Sequence, residues 1–257
     1  MNDINKRNYH GGYMKDFKKS GFTLAEVLIT LGVIGVVAAM TIPTVINKHK
    51  AKVLENQFKQ TQSIISQVLE QIKYDTGLNS IYDYYSVNNN MTSELKNEFY
   101  KHIKSPQKLT KYPKYLTYDG SQEYTSSNTT QYTITGMIRH DITLNNGATL
   151  NVYWAGGLDG RGINIPCDIN GAKGPNRVGY DMFIFYINSS NDKLSGKTMT
   201  KLYSEDEISE KRFEGMLGLP CSKKSKQTSN GIGCTGFAIQ NVCPDDSTKT
   251  YWECLYN

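Results

Sequence analysis

The longest apolar stretch of the chain lies close to its N-terminus, at residues 27–46, which contain no charged side chain. A stretch of this length can span a bilayer as a helix. A secretory signal peptide would have a shorter apolar core nearer the N-terminus, whereas here a largely polar segment, residues 1–21, comes first. We therefore expect a membrane-spanning helix, with any cleavage before the apolar run begins.

A second pattern, at residues 47–75, has the three- and four-residue spacing of an amphipathic helix. Lys, Gln and Glu separate its apolar positions, which are Val53, Leu54, Phe58, Ile64, Ile65, Val68, Leu69 and Ile72. Gly77 follows as a natural helix stop. We expect one helix that continues from the apolar run, with the C-terminal half of its apolar stripe packed against its own domain.

The remaining residues change from a loop-rich to a strand-rich pattern. Residues 78–131 are rich in Tyr, Asn, Ser and Thr and predict an irregular insert with a helical patch at 92–102. Short strand-like runs follow at 132–139, 141–144, 149–154, 162–167 and 182–187. Asn145-Asn146-Gly147 between two of these runs is a hairpin signal. The pattern predicts an α+β fold in which an antiparallel sheet lies across the C-terminal half of the long helix.

Length and charge limit the function classes. A chain of 257 residues allows one sizeable globular domain beside the membrane segment. Residues 1–21 hold five basic and two acidic side chains, so their removal would lower the formal charge from +5 to about +2. Bulk charge therefore gives no reason to expect nucleic acid binding.

Four of the five cysteines lie within the last 37 residues, and none forms a Cys-x-x-Cys pair. This pattern favours disulfides formed outside the cytoplasm over a zinc site. Four cysteines allow three pairings, of which the one between sequence neighbours joins Cys221 to Cys234 and Cys243 to Cys254. Cys167 is left over in a strand-like run, where a small buried thiol is expected.

The start of the apolar run carries a specific motif. It reads Lys18-Lys19-Ser20-Gly21-Phe22-Thr23-Leu24-Ala25-Glu26, and Gly35 and Pro43 follow within the apolar residues. This string resembles the N-terminal signature of type IV prepilins and type II secretion pseudopilins, and the resemblance covers roughly residues 15–75. It implies a pilin-like fold, cleavage between Gly21 and Phe22 by a membrane-embedded prepilin peptidase, and methylation of the new amine of Phe22.

Glu26 is the one acidic residue at the start of an otherwise apolar helix. An unpaired carboxylate costs about 2.5 kcal/mol or more at the bilayer centre, so it needs a partner there. The resemblance implies that the partner is the Phe22 amine of a neighbouring subunit. The alternative is that Glu26 reaches the headgroups and favours the positive end of its own helix dipole.

Gly32, Gly35 and Pro43 are poor helix formers, and Pro43 removes one backbone donor. A kink of this kind is tolerated in any membrane-spanning helix. The resemblance implies a further use, in which Gly35 and Pro43 belong to a deformable joint that takes part in filament assembly.

The segment from Asp168 to Asp181 joins two predicted strands and is rich in Asp, Asn, Gly and Pro. These residues are typical of a tight turn. Asp168, Asn170, Asn176 and Asp181 also space side-chain oxygens as a calcium-binding loop does. Two carboxylates are few for tight binding, so the sequence predicts either a turn alone or a turn that binds calcium weakly.

Motifs for catalysis are missing from the sequence. It contains no His-Glu-x-x-His, no Gly-x-Ser-x-Gly and no phosphate-binding Gly-x-x-x-x-Gly-Lys-Ser/Thr. His102 and His140 are expected to be surface residues or hydrogen-bonded core residues. We therefore predict a protein that is not an enzyme and has no cofactor other than calcium.

The resulting hypothesis is a structural subunit of a type IV pilus-like or type II secretion filament. Its parts would be a leader at 1–21, a transmembrane helix at 22–46, an amphipathic continuation at 47–77 and a head domain at 78–257. Its partners would be other pilin or pseudopilin subunits, the prepilin peptidase, an inner-membrane assembly platform and the lipid bilayer.

Location and filament type follow less directly. Lysines flank the apolar run on both sides, so charge alone leaves the orientation open, while the cysteines favour an extracytoplasmic head. The sequence leaves the type of filament open between a secretion pseudopilus, a surface pilus and a DNA-uptake pilus. It also leaves open whether the chain is a major or a minor subunit.

A rival hypothesis is an extracytoplasmic binding protein or enzyme for which the helix is only a tether. A DNA-binding pilin is a third, since Lys223, Lys224 and Lys226 form a small basic patch.

Overall fold

The fold is taken from a computed structural model of the chain. It describes residues 21–87, 91–103, 113–124, 140–155, 162–187, 192–196, 221–226 and 230–256. Contacts divide the chain into two units, Met1–Val45 and Ile46–Asn257. The first unit contributes the start of a long helix, and the second contains the rest of that helix together with the globular head.

Helix α1 covers Leu24–Thr76, and Gly77 ends it with a positive φ of 66° that a residue without a Cβ adopts readily. Its buried side chains all come from the second unit and repeat at helical spacing. They are Ala51, Leu54, Phe58, Thr61, Ile65, Val68, Leu69 and Ile72. The predicted stripe is therefore confirmed except at its edge, where Val53 is 40% exposed and Ile64 only partly buried.

Two short helices follow: α2 at Ile81–Val87 and α3 at Met91–His102. Helix α3 confirms the helical patch predicted for this part of the chain, whereas α2 was not predicted. The reason is that the cap of α2 is distant in sequence. Asp192 accepts hydrogen bonds from the backbone nitrogens of Ile81 (2.9 Å) and Tyr82 (3.0 Å), satisfying donors that a helix start leaves unpaired.

Within the described residues, the main sheet contains six antiparallel strands. They are β3 at Ile142–Thr143, β4 at Thr149–Leu150, β5 at Tyr153–Ala155, β6 at Gly162–Asp168, β7 at Met182–Ile187 and β8 at Leu194–Ser195. The order is β3-β4-β6-β7-β8, and β5 pairs with β6 beside β4. The expected hairpin at Asn145-Asn146-Gly147 joins β3 to β4, with Ile142 opposite Leu150. A separate pair consists of β1 at Tyr115–Leu116 and β2 at Glu123–Tyr124.

The run predicted as one strand at 149–154 is divided between β4 and β5. Both pair with β6 in one register, because Leu150 lies opposite Cys167 and Tyr153 opposite Asn164. That register places Asn151 opposite Pro166, and the Asn151 nitrogen donates to the Pro166 carbonyl at 3.0 Å. Proline has no N–H to return the bond, so the ladder is interrupted at this point. The strand predicted at 132–139 lies outside the described residues.

The core of the second unit lies between α1 and the sheet. Phe58 of α1 packs edge-on against Phe183 of β7 at 4.7 Å between ring centroids and also contacts Phe185 and Trp252. Trp252 belongs to a four-residue helix, α5, at Tyr251–Cys254, which follows α4 at Cys234–Gln240. Aromatic packing of this kind stabilises beyond the area it buries. The chain thus has the α+β architecture predicted from its sequence pattern.

Candidate functional site

The N-terminal site is the first turn of α1 and the two residues before it. Phe22 is 88% exposed, and Thr23 directly precedes the helix. The Glu26 carboxylate accepts hydrogen bonds from the Thr23 backbone nitrogen and the Thr23 hydroxyl, both at 2.8 Å. The Glu26 nitrogen donates back to that hydroxyl at 3.2 Å. Together these bonds form a capping box, which satisfies backbone donors at the start of a helix.

The capping box shows what Glu26 does in a single chain. Its carboxylate lies at the positive end of the helix dipole and completes the first turn, as one of the two sequence hypotheses expected. The oxygen that accepts both Thr23 donors is Oε2. Pairing of Glu26 with the Phe22 amine of another subunit stays a prediction.

The described helix of the first unit has an apolar and exposed surface. The helix is long and apolar enough to cross a membrane, and no residue of its most apolar stretch is buried. Exposure of this size on a helix is typical of a surface that lipid or another helix covers. Helix α1 continues without interruption through Gly35 and Pro43. A deformable joint at these residues stays a prediction about assembly.

The predicted calcium loop brings together two buried carboxylates. Asp168 ends β6 and Asp181 precedes β7, and both are completely buried. Asp168 accepts hydrogen bonds from the Tyr115 hydroxyl at 2.7 Å and from the Asn170 nitrogen at 3.1 Å. The Asp181 carboxylate accepts one bond of 2.7 Å from the Asn176 nitrogen and one from the Arg177 nitrogen. Each carboxylate therefore accepts from backbone nitrogens of the loop, and Asp168 also links the loop to Tyr115 of β1.

The buried environment of the loop disfavours the ionisation of both Asp168 and Asp181. Burial raises the pKa of Asp181 to about 6. Burial, and next the charge of Asp181, raise the pKa of Asp168 well above its ordinary value. A proton or a cation would relieve this repulsion. The loop therefore has a physical reason to bind either one.

The two candidate amide ligands are partly satisfied. The Asn170 side chain donates to the Gly174 carbonyl at 3.2 Å. The Oδ1 atoms of Asn170 and Asn176 are buried and have no hydrogen-bond partner. Among the described residues, no group of three or more His, Cys, Asp or Glu could hold a metal, so a cation here would depend on amide and carbonyl oxygens. Calcium binding stays a proposal.

The structure contains two disulfides, one between Cys221 and Cys234 and one between Cys243 and Cys254. This is the pairing of sequence neighbours. Cys167 is an unpaired, buried cysteine. Burial raises the pKa of its thiol, which makes it an unreactive core residue.

Two of the three lysines of the C-terminal basic patch, Lys223 and Lys226, are engaged within the chain. Lys223 donates to the Cys254 carbonyl, and Lys226 lies 3.0 Å from the Asp119 carboxylate. Burial lowers the pKa of Lys223. A basic surface that binds DNA needs cations free to meet phosphates, so this geometry gives the DNA-binding hypothesis no support.

Sequence reasoning missed two buried polar residues that organise the head. Asp192 caps α2 as described above, and Asn230 accepts from the Ser222 nitrogen at 3.1 Å while donating to the Ser222 and Ser225 carbonyls. Both residues lie in polar, irregular stretches of the sequence. No local pattern distinguishes them from solvated loop residues, because their partners become neighbours only in the fold.

Comparison with known proteins bears on the N-terminal site. Residues 16–42 match the prokaryotic N-terminal methylation motif. A search of curated proteins and a search of solved structures found no match to the chain. The matched residues include Gly21, Phe22 and Glu26 and extend through most of the apolar run. The chain therefore carries the prepilin-type N-terminal segment that is the signature of type IV pilins and pseudopilins.

Proposed function

We propose that this protein is a structural subunit of a type IV pilus-like or type II secretion filament and not an enzyme. The observation that carries the proposal is the coincidence of the methylation motif with an exposed apolar helix. Such a surface is stable only when lipid or other helices cover it. A filament subunit uses both environments in turn, first the bilayer and then the helices of other subunits.

The proposed sequence of events begins at Gly21. A prepilin peptidase removes residues 1–21 and methylates the amine of Phe22. The subunit stays anchored by its apolar helix until an assembly platform transfers it into the filament. There the Glu26 carboxylate leaves Thr23 and pairs with the Phe22 amine of a neighbouring subunit. This exchange keeps the carboxylate partnered in an apolar environment, where an unpartnered charge is costly.

The head is proposed to lie outside the cytoplasm. The two disulfides support this location, because such bonds form and persist in oxidising compartments. A single pass through the inner membrane, with residues 1–21 on the cytoplasmic side, is the matching topology.

Analysis of the N-terminus tests the proposal. The full chain should be expressed in cells that contain an active prepilin peptidase, extracted from membranes and analysed by intact mass and N-terminal sequencing. We expect a mature chain that begins with methylated Phe22. A chain that keeps Met1 in the presence of the active peptidase would refute processing. A Gly21→Leu variant, produced in the same cells, is the matched control and should stay uncleaved.

A second experiment separates the filament subunit from the tethered protein. Filaments sheared from the cell surface should contain the processed chain together with other subunits. A processed chain that is found only in the membrane fraction, while other subunits assemble, would favour the tethered protein.

Calcium binding at Asp168, Asn170, Asn176 and Asp181 is proposed in addition, supported by the buried carboxylates and the unpartnered amide oxygens.

A further inference from the structure

A cluster of basic residues follows the apolar run of α1 directly. Lys48, His49, Lys50 and Lys52, which we call the basic collar, begin two residues after Ile46. Lys48, His49 and Lys50 are exposed, and the Lys52 side chain is 65% exposed. The proposed function makes no use of these charges.

The basic collar has few acidic partners within the chain. The first acidic residue after Glu26 is Glu55, which pairs with Lys52 at 3.0 Å and Lys59 at 2.5 Å. Glu253, whose carboxylate also takes part in a capping box with Thr250, offsets part of the charge of Lys48. Within the described parts of the chain, the ion pairs include neither Lys48 nor Lys50. The collar thus presents net positive charge to its surroundings.

The directions of the side chains limit what can bind them. At about 100° per residue, Lys48, His49 and Lys50 point to different sides of the helix. A folded protein or a nucleic acid contacts a helix from one side, so a helix that binds one of them carries its charged side chains along that side. Ala51 is buried, so the head covers one side of the helix at this level, and a layer of lipid headgroups can reach the other sides, on which Lys48, His49 and Lys50 are exposed.

The axial length of the collar also fits a headgroup layer. Residues 27–46 would cross about 30 Å, which is the thickness of the hydrocarbon core. The four steps from Lys48 to Lys52 add about 6 Å, similar to the headgroup region on one side of a bilayer. The collar would therefore lie among the lipid phosphates whenever the apolar run lies in the hydrocarbon.

Membrane topology does not account for these charges. Lysines that set orientation accumulate on the cytoplasmic side of a span, whereas the proposed orientation places the collar on the other side. Here we propose that the basic collar binds the headgroups of anionic lipids and holds the anchored subunit at a defined depth in the bilayer. Withdrawal of the subunit then requires these contacts to break.

Residue-specific lysine modification tests the proposal. The full chain is placed at one copy per nanodisc, in phosphatidylcholine alone or with about 30% phosphatidylglycerol, and treated with an acetylating reagent. Mass spectrometry gives the rate at each lysine. We expect Lys48, Lys50 and Lys52 to react at least about threefold more slowly in the anionic nanodisc, and the effect to shrink in high salt. Lys114, which is 80% exposed, should react equally in both.

Matched variants separate charge from structure. K48Q/K50Q/K52Q removes the collar, and K101Q/K114Q/K173Q removes three lysines of the head outside it. Copurification of phosphatidylglycerol from mixed micelles should fall by more than half in the first variant only. K48R/K50R/K52R keeps the charge and should retain the lipid.

The opposite results would overturn the proposal. Equal lysine rates in both nanodiscs would show simple steric cover without preference for anionic lipid. Protection by inorganic phosphate in phosphatidylcholine nanodiscs would indicate a general anion site instead. Protection that appears only in liposomes with many copies would assign the collar to an interface between subunits. None of these outcomes depends on filament assembly, so the proposal can fail or stand separately from the proposed function.

Discussion

The Glu26 carboxylate accepts hydrogen bonds from both the backbone nitrogen and the hydroxyl of Thr23 in the same chain. A residue expected to pair between subunits therefore already has a partner before assembly. In the proposed assembly, the Glu26 carboxylate would change its partner from Thr23 to the Phe22 amine of another subunit. This change costs less than leaving a free carboxylate in the hydrocarbon core, because the carboxylate keeps a hydrogen-bond donor for most of the transfer.

The first prediction concerns Glu26. E26L should leave membrane insertion intact, because it makes the first turn more apolar, but should lower incorporation into filaments at least about tenfold by removing the charged partner. Immunoblots of membrane and sheared fractions give both quantities. E26Q, which keeps the size and one acceptor, separates charge from shape. Normal assembly of E26L would remove the proposed role of the carboxylate.

The second prediction concerns Thr23. T23V removes the hydroxyl from the capping box and should destabilise the first turn by about 1 kcal/mol. Hydrogen exchange of the full chain in nanodiscs should then be faster at residues 24–27. T41V is the control, since the Thr41 hydroxyl donates to the Val37 carbonyl inside the helix and takes no part in the capping box. Equal exchange at residues 24–27 in T23V and the unchanged chain would contradict the cap.

The third prediction concerns the disulfides. Each closes a loop with a sequence separation of 13 or 11 residues, and such loops stabilise by roughly 3 kcal/mol each. C243S/C254S should lower the thermal midpoint of the full chain by about 6–12 °C. C167A should keep both disulfides. Thiol titration after denaturation should find one free thiol in the unchanged chain and none in C167A; a bridged Cys167 would refute this pairing.

The fourth prediction concerns Asp192, whose carboxylate also accepts a bond of 3.1 Å from the Ser80 hydroxyl. D192A should cost about 2–3 kcal/mol, because it leaves the first donors of α2 unpaired. Chemical denaturation of the full chain measures this. D192N keeps one acceptor and should lose less, and E70A, at an exposed glutamate, should stay within about 0.5 kcal/mol. Equal stability of D192A and E70A would contradict the role of Asp192.

The fifth prediction concerns protons and calcium at the β6–β7 loop. The folded pKa of Asp181 is raised to about 6, so the folded chain binds the proton more tightly than the unfolded chain. The contribution of Asp181 to stability should therefore improve as pH falls through 6 toward about 4 and worsen as pH rises. Thermal midpoints with chelator, compared with those of D181N, isolate this effect. A difference that is constant with pH would contradict it.

Calcium should act on the same loop at neutral pH. At a calcium concentration ten times the dissociation constant, mass action adds about 1.4 kcal/mol and raises the thermal midpoint by about 3–6 °C. The shift is measured between millimolar calcium and chelator, and D168A/D181A should abolish it. An absent shift, or an equal shift in that variant, would leave the loop as a structural turn.

The sequence alone determined the elements that are specified by residues close together in the chain. The long helix, its buried stripe and its end at Gly77 follow from periodicity and backbone preference, since these act between residues a few positions apart. Strand β7 and the hairpin at Asn146-Gly147 were predicted for the same reason. The motif around Gly21 and Glu26 is likewise local, so it can be recognised without knowledge of the fold.

The tertiary structure decided whatever depends on distant residues. Helix α2 takes its cap from Asp192, which lies 111 positions from Ile81 in the sequence. The gap between β4 and β5 results from Pro166 on the neighbouring strand. The burial of Asp168 and Asp181, and with it their raised pKa values, exists only after the sheet and its loop pack together. Long-range contacts set these features, because the free energy of a polar group depends on neighbours that sequence order does not reveal.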